Sequence, residues 1–457
     1  MHQLFERYHI KAKETPPQFK IQPEFIVRRY NNCTNIQECT QSCVFGVHVV
    51  GEDGKVVDPI EENCRGCFRC VVECPDLAIS VELNPEFRKM GNSYFTPDRI
   101  RTNYFEAQGG RVPVSGTGYG GPFAGKGFDG IWFDFSEIVR PTRDGIHGRE
   151  YISTSVDLGR KPSYLVFDAE ENLATNALNL VEIPIPMILD APLGMLQDNL
   201  LPLAVAKAAA DLETFAIIPI QDCSEDLLTY ISNIIPRFSP TDIETAQSLI
   251  QSARVVEVDL GTWTDDVENY VQTIKAINPS VLISFNLNFG DDSPEIAFNL
   301  AQSGADIIHF QANEEMVAQD PDFITKSIRG VHNHLVEKNI RDKVTLISSG
   351  GIAEAAHVPK SIILGDDAVC IGMSYQIALG CHVCSGDHHD EECLINIPNQ
   401  TSMEWAAQRI VNLIGSWRDQ LLEVLGGMGL REVRRQRGEM GRMMAYQDLE
   451  TRIFGGN

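Results

Sequence analysis

Residues 64–75 of the chain are Cys64-Arg-Gly-Cys67-Phe-Arg-Cys70-Val-Val-Glu-Cys74-Pro75. Four cysteines separated by two, two and three residues and followed by proline have the spacing of a ferredoxin-type iron–sulfur run. In two-cluster ferredoxins the first three thiolates ligate one cluster, and the fourth ligates the other cluster. Zinc is the alternative, but zinc ligands normally occur as separated pairs. The spacing therefore predicts iron–sulfur ligation.

A second, incomplete run lies upstream, with cysteines at its first, third and fourth places and Ile36 at the second. Because the fourth cysteine of each run ligates the cluster of the other run, one [4Fe-4S] cluster is predicted on Cys43, Cys64, Cys67 and Cys70. The other site has only Cys33, Cys39 and Cys74. Isoleucine cannot bind iron, so this second cluster is either [3Fe-4S] or a [4Fe-4S] cluster with a non-cysteine ligand.

Length and charge limit the classes of function. A chain of 457 residues is long enough for two or three domains. Its net charge of −25 argues against a nucleic-acid partner and against an anionic membrane surface. We expect no transmembrane helix and no signal peptide. Cysteines that serve as metal ligands are typical of a reducing cytoplasm, and the sequence is compatible with a multi-subunit complex.

From about residue 175, apolar runs alternate with amphipathic stretches such as Pro294–Ser303 and Asp322–Lys338. Eight such runs over about 200 residues predict an α/β fold, a (β/α)8 TIM-type barrel, with an open doubly wound sheet as the alternative. The predicted strands are Ile185–Ala191, Phe215–Ile220, Tyr230–Ile235, Val255–Leu260, Val281–Leu287, Ile307–Phe310, Val344–Ile347 and Ala368–Gly372.

Five segments are predicted along the chain. An extension (1–30) precedes a two-cluster ferredoxin-like α+β domain (31–85), and a glycine-rich linker (86–170) wraps the barrel. The barrel with a cysteine loop spans 171–400, and C-terminal helices (401–457) carry an exposed basic face at Arg431–Arg437.

The chemistry of such a barrel lies at the carboxyl ends of its strands, and phosphate is often bound after strands seven and eight. Those strands end in Ser349-Gly350-Gly351 and Gly372-Met373-Ser374. Glycines let backbone N–H groups approach a phosphate, although tight βα turns favour glycine as well. After strand eight, Cys381, Cys384 and Cys393 lie among histidines and carboxylates; their spacing is compatible with a zinc site, an iron–sulfur site or a solvated loop.

This order of segments resembles the archaeal-type glutamate synthase large-subunit family. The resemblance is greatest from Ser349 to Cys381, where the family has an Asp-Gly-Gly turn, a helix and an Ala-Leu-Gly-Cys run. It implies a third iron–sulfur cluster on the loop after strand eight, and FMN at the barrel mouth. The implied FMN neighbours are Pro192, Leu193, Gly194, Asn286, Ser349, Gly350, Gly351, Gly372, Met373 and Ser374.

The chain also departs from that family. The glycine-rich loop after strand six is replaced by Gln311–Met316, and the strand-five lysine by Asn286. An asparagine cannot supply a positive charge to a reduced flavin or a carboxylate substrate, and Glu314 and Glu315 would repel 2-oxoglutarate. A chain that begins Met1-His2 lacks the N-terminal cysteine of a glutaminase, so we expect no glutaminase activity.

Two functions follow as hypotheses. The favoured one is an iron–sulfur oxidoreductase component that passes electrons within a larger redox complex, with the synthase chemistry altered or lost. The alternative is an active FMN-dependent glutamate synthase, which forms an amino acid from a 2-oxo acid and ammonia with reduced ferredoxin or a partner NAD(P)H subunit. No catalytic residue is assigned, and the expected partners are redox subunits or ferredoxin.

Overall fold

The structure is a computed structural model that describes residues 8–111, 124–135, 151–161, 167–172, 180–191, 200–383 and 402–445. The N-terminal cysteines lie on a small unit with one two-stranded antiparallel sheet, formed by β1 (Phe25–Arg29) and β2 (Ile79–Leu83). Two short helices, α1 (Glu38–Ser42) and α2 (Arg69–Val72), pack against each other between these strands. β2 follows the Cys74-Pro75 pair within four residues.

Residues 85–183 connect this unit to the barrel. Helix α4 (Pro97–Gly109) follows the short helix α3 (Pro85–Arg88) and has clear local signals at both ends. The Thr96 hydroxyl accepts from the Arg99 amide, Pro97 occupies the first turn, and Gly110 ends the helix with a left-handed φ of 65°. The sequence analysis did not predict this helix. The remaining elements are three short strands, β3 (Ile131–Phe133), β4 (Val156–Leu158) and β5 (Val181–Ile183).

Eight parallel strands close the predicted barrel, which confirms the TIM-type interpretation over the open sheet. Their apolar side chains are buried almost without interruption, as expected for strands covered on both faces. The strands are β6 (Met187–Asp190), β7 (Ala216–Pro219), β8 (Ile234–Phe238), β9 (Val255–Gly261), β10 (Leu282–Asn288), β11 (Ile307–Gln311), β12 (Thr345–Ser349) and β13 (Ala368–Ile371).

One predicted strand differs in its limits. Residues Tyr230–Asn233 belong to a 3-10 helix (Glu225–Asn233), so the third strand begins at Ile234 and continues to Phe238. The helices of the barrel region are α5 (Leu200–Asp211), α6 (Gln247–Ser252), α7 (Val267–Ile277), α8 (Ser293–Gln302), α9 (Glu314–Gln319), α10 (Asp322–Glu337), α11 (His357–Leu364) and α12 (Met373–Ala378).

The C-terminal helix α13 (Met403–Gly427) is capped by the Ser402 hydroxyl and packs against α4 and α5. The predicted exposed basic helix at Arg431–Arg437 is wrong. Those residues contain a short 3-10 turn, and Arg437 Nη1 contacts the buried Asp367 carboxylate at 2.6 Å. Arg434 Nη2 contacts Asp157 at 3.0 Å, so the segment is fastened to the barrel by ion pairs. A final strand, β14 (Met443–Ala445), pairs with β3.

In the described ranges, no helix combines the length and the apolar character that a membrane span needs.

Candidate functional site

The structure places four thiols around one cavity in the N-terminal unit. Cys64, Cys67 and Cys70 come from the complete run, and Cys43 comes from the upstream run. The cavity is small and partly open to solvent. Its other lining residues are mostly apolar, namely Phe45, Val47, Arg65, Phe68 and Val81.

The two cysteine runs have the same local geometry. Each short helix begins after a residue with a left-handed φ, 68° at Gln37 and 58° at Phe68. In each run the amide four residues after the last cysteine donates to its sulfur at 3.4 Å, from Val47 to Cys43 and from Ala78 to Cys74. The two runs therefore share these local features at the positions that their cysteine spacing aligns.

Hydrogen bonds also join the parts of the second predicted site. The amide and the hydroxyl of Thr34 both donate to Oδ2 of Asp76 at 2.6 Å. This carboxylate ties the loop that follows Cys33 to the turn that follows Cys74. Cys39 and Cys74 are buried in the same small hydrophobic core, against which Cys33 packs. The sequence analysis missed Asp76, although an Asp directly after a Cys-Pro pair was a visible signal.

The four-thiol cavity offers the donor set of either an iron–sulfur cluster or a zinc ion. Zinc needs its thiolates about 2.3 Å from one point. Nowhere in the described ranges do three or more His, Cys, Asp or Glu side chains converge closely enough to hold one metal ion. The thiols instead surround a volume. Burial and the neighbouring thiols of Cys64 and Cys43 raise the pKa of Cys70 to about 11, so the uncompensated tetrathiolate is unfavourable.

The barrel carries several predicted FMN neighbours at the carboxyl ends of its strands. Asn286 and Ser349 are buried, and the pairs Gly350-Gly351 and Gly372-Met373 follow β12 and β13. Pro192, Leu193 and Gly194 lie outside the described residues, as do Cys384 and Cys393 of the cysteine loop.

Packing accounts for the first glycine pair. Gly350 has a φ of +84°, and a Cβ there would lie 2.2 Å from the Ala312 carbonyl oxygen. Gly351 has a φ of +71° and would bring a Cβ 3.1 Å from Val317. The tight βα turn thus requires both glycines without any ligand. Gly372 differs, because its φ is −116° and a Cβ would make only an ordinary 3.4 Å contact with Asp190.

The serine hydroxyls near these glycines have protein partners. Ser374 Oγ donates to the Ile352 carbonyl at 2.7 Å. Ser349 Oγ lies 2.9 Å from Nε2 of His309. Neither hydroxyl needs a ligand to satisfy its hydrogen bonding.

A buried charged network fills the barrel interior, and the sequence analysis missed it. Oε1 of Glu257 accepts from Arg237 Nε at 2.6 Å, and its Oε2 lies 2.9 Å from His309 Nδ1 and from Ser284 Oγ. Arg237 also donates to Asp190 at 3.2 Å. Burial alone would raise the pKa of Glu257, but His309 and Arg237 lower it to about 2. The sequence feature that could have revealed this network is the presence of ionisable residues within otherwise apolar strands.

The segment between the two units supports the glycine turn after β12. Arg99 on α4 makes two hydrogen bonds to Asp129, at 2.7 and 2.6 Å, and also contacts Glu354. The hydroxyl of Tyr94 donates to the Gly351 carbonyl. These buried contacts hold the residues after the turn against α4.

Cys381 also lies against α4. It is buried, its sulfur accepts from the Val383 amide at 3.4 Å, and the Tyr104 hydroxyl donates to its carbonyl at 3.2 Å. Because the other two cysteines of this loop are not described, the third cluster stays a prediction.

Comparison with known proteins places this geometry in context. A family model described as "Conserved region in glutamate synthase" matches residues 247–431. An archaeal-type glutamate synthase [NADPH] of Dehalococcoides mccartyi is 26% identical over 91% of this chain and 94% of its own length. An archaeal glutamate synthase [NADPH] of Archaeoglobus fulgidus is 26% identical over 95% of this chain and 96% of its own. A mandelate oxidase structure aligns with a TM-score of 0.41 at 14% identity, over 67% of this chain and 97% of its own, which is too distant to inform function.

Proposed function

Because the chain is a divergent member of the archaeal-type glutamate synthase family, we propose that it is an iron–sulfur oxidoreductase component of a larger redox complex. The observation that carries the proposal is the cavity that Cys43 shares with Cys64, Cys67 and Cys70. Iron–sulfur clusters, when bound, supply one-electron storage and transfer. The role of this chain is to hold them and to connect them to partner subunits.

The proposed ligand sets follow the two runs. One [4Fe-4S] cluster takes the four thiols of the cavity. Cys33, Cys39 and Cys74 hold a second cluster, [3Fe-4S] or [4Fe-4S], whose loops Asp76 fastens together. A third cluster is proposed on Cys381, Cys384 and Cys393. The partners are redox subunits or a ferredoxin, and the compartment is the cytoplasm.

The barrel interior supports altered synthase chemistry. A dianionic 2-oxo acid needs positive charge in its site. The buried Arg237 already faces two carboxylates, Asp190 and Glu257. Asn286 on the neighbouring strand β10 is uncharged and buried. These residues offer no excess positive charge to a second carboxylate, which favours electron transfer over amino-acid synthesis as the function of the chain.

One observation favours the alternative, an active FMN-dependent glutamate synthase that uses NADPH through a partner or a reduced ferredoxin. The relatives named as NADPH-dependent glutamate synthases match this chain over almost their whole length. At Gly372 a Cβ would meet no described residue closer than the Asp190 carbonyl oxygen, at 3.4 Å. Gly372 is therefore the residue that would admit the phosphate of FMN at the barrel mouth.

A single preparation tests both functions. The chain is purified without oxygen, and its iron, acid-labile sulfide and flavin are measured. It is then mixed with reduced methyl viologen, 2-oxoglutarate and ammonia. The proposal predicts iron and sulfide, with no viologen oxidation that depends on both substrates. Oxidation that depends on both, with glutamate formed, would establish the alternative, and a lack of iron and sulfide would refute both.

A further inference from the structure

Large apolar side chains are exposed around the four-thiol cavity. Val44 is 77% exposed, Phe45 42%, Phe68 47% and Val72 80%. We call these four residues the apolar collar. Single exposed apolar residues are common on protein surfaces, but a group of them marks an interaction site.

The collar is continuous with the cavity. Phe45 and Phe68 line the cavity itself, and Val44 precedes Phe45. Val72 ends α2 (Arg69–Val72), the helix that begins directly after Phe68. The collar therefore consists of two exposed residues that line the cavity and two exposed residues close to them along the chain.

The same surface contains the most accessible thiol of the cavity. Cys67 is exposed, whereas Cys64 and Cys70 are buried and Cys43 is half-buried. A cluster held by these thiols has its solvent-facing side at Cys67, which directly precedes Phe68 of the collar. Any protein that covers the collar comes close to that side of the cluster.

We propose that the apolar collar is the docking surface for a basic one-electron carrier protein. The proposal rests on the cluster-binding function proposed above and adds the surface for electron exchange and the chemistry of the partner. One electron passes between the redox centre of the carrier and the cluster beside Cys67, so that one centre is oxidised as the other is reduced. No bond is made or broken, and no proton moves.

Charge identifies the partner as basic. Residues 31–85 carry nine acidic and three basic side chains, so their net charge is 3 − 9 = −6. Of the three cations, Arg65 lies over the Phe105 ring at 5.4 Å. A second copy of this chain, with its net charge of −25, would be repelled. A carrier with a basic rim and an apolar centre matches both the charge of the unit and the collar.

The test measures electron transfer from the reconstituted protein to cytochrome c, a basic haem protein that serves as the probe. Dithionite first reduces the clusters, excess reductant is removed, and stopped flow follows the reduction of ferric to ferrous haem. Val44→Lys with Val72→Lys adds two positive charges within the collar. Leu228→Lys with Val336→Lys is the matched control, because both residues are exposed apolar side chains on the barrel region. Oxidation by a small dye is measured in parallel.

We expect the collar variant to slow the second-order rate by about tenfold, and the barrel control by less than about twofold. Added salt should lower the rate at which the wild-type protein reduces cytochrome c, and it should reduce the difference in rate between the two double variants. Equal rates for the two double variants would overturn the proposed docking surface. If the lysine variant also reduces the small dye more slowly, it has lost cluster, and Val44→Ser with Val72→Ser replaces it. If this serine variant reduces cytochrome c at the same rate as the wild type, the proposal is again overturned. Protein that holds no iron or sulfide after reconstitution would instead overturn the proposed function.

Discussion

The backbone amide of Thr34 donates a 2.6 Å hydrogen bond to Oδ2 of Asp76, and the Thr34 hydroxyl donates a second one of the same length. These bonds lower the pKa of the Asp76 carboxyl. They join the neighbours of Cys33 to those of Cys74, two thiols that are distant in sequence and that we assign to one cluster. The carboxylate therefore fastens the loop that follows Cys33 to the turn that follows Cys74.

Asp76→Ala should release the second cluster and leave the first one bound. The loop after Cys33 loses its attachment, and a site with three thiolates tolerates little displacement. We expect a loss of about three to four iron atoms per chain, measured by iron analysis after exposure to a mild chelator. Asp58→Ala removes an exposed carboxylate from the same unit and should keep all iron. Equal iron in both variants would contradict the proposed role of Asp76.

Glu257→Gln should destabilise the barrel by about 3 kcal/mol, because it removes one of the two carboxylates that neutralise the buried Arg237. Urea unfolding at neutral pH measures the change. Glu432→Gln is the control, since its partner Arg435 is exposed and such pairs contribute little. A loss below about 1 kcal/mol for Glu257→Gln would mean that the network is not a major support of the barrel.

Glu106 makes a contribution to the free energy of unfolding that falls as pH rises. Burial raises the pKa of Glu106 from 4.5 to about 8, although Trp417 and Gln420 donate hydrogen bonds to it. The folded state therefore keeps this proton after the unfolded state has released it. The contribution is complete below pH 4.5 and is lost between pH 4.5 and about 8.

We expect a decrease of about 3–5 kcal/mol across that window from this group, and a flatter profile for Glu106→Gln. Urea unfolding at pH 5, 6, 7 and 8 measures both profiles. Glu337→Gln, an exposed position on α10, should follow the wild type. Parallel profiles for wild type and Glu106→Gln would show that Glu106 is not the titrating group.

Gly350→Ala should destabilise the protein by at least about 2 kcal/mol, because alanine is strained at a positive φ and its Cβ meets the Ala312 backbone. Gly372→Ala should cost less than about 1 kcal/mol, since no close contact or positive φ opposes it. Thermal or urea unfolding compares the stability of the two variants. Similar stability losses in both would contradict the packing argument.

Gly372→Ala also tests the phosphate interpretation. If it removes bound flavin from a flavin-containing preparation, that interpretation gains direct support.

The barrel was predictable from sequence because its strands are buried on both faces and appear as separate apolar runs. Ferredoxin spacing also predicted that Cys43 would lie beside Cys64, Cys67 and Cys70, and the structure brings these four thiols to one cavity. The start of strand three was not predictable, because the apolar Tyr230 and Ile231 also suit a 3-10 helix that packs on the barrel. Short apolar runs do not distinguish the two by periodicity.

The features that the sequence did not predict depend on contacts between residues that are distant in the chain. The basic run ending at Arg437 has the composition of an exposed surface, but its partners, such as Asp367, are distant in the sequence. The Arg237–Glu257 pair depends on two adjacent strands that direct charged side chains into the same barrel layer. For the glycines after β12, the sequence favoured phosphate binding and left turn geometry as the alternative. Only the position of the Ala312 carbonyl shows that packing requires Gly350.

The most direct test of the account is the iron content of Cys43→Ala after anaerobic reconstitution, compared with wild type and with Cys223→Ala. Cys223 lies outside the cysteine runs, on the barrel region, and is the matched control. The account predicts that Cys43→Ala loses or degrades the cluster held by Cys64, Cys67 and Cys70, with up to about four fewer iron atoms per chain and an altered electron paramagnetic resonance signal. Cys223→Ala should match wild type. Unchanged iron and an unchanged signal in Cys43→Ala would contradict the shared four-thiol site.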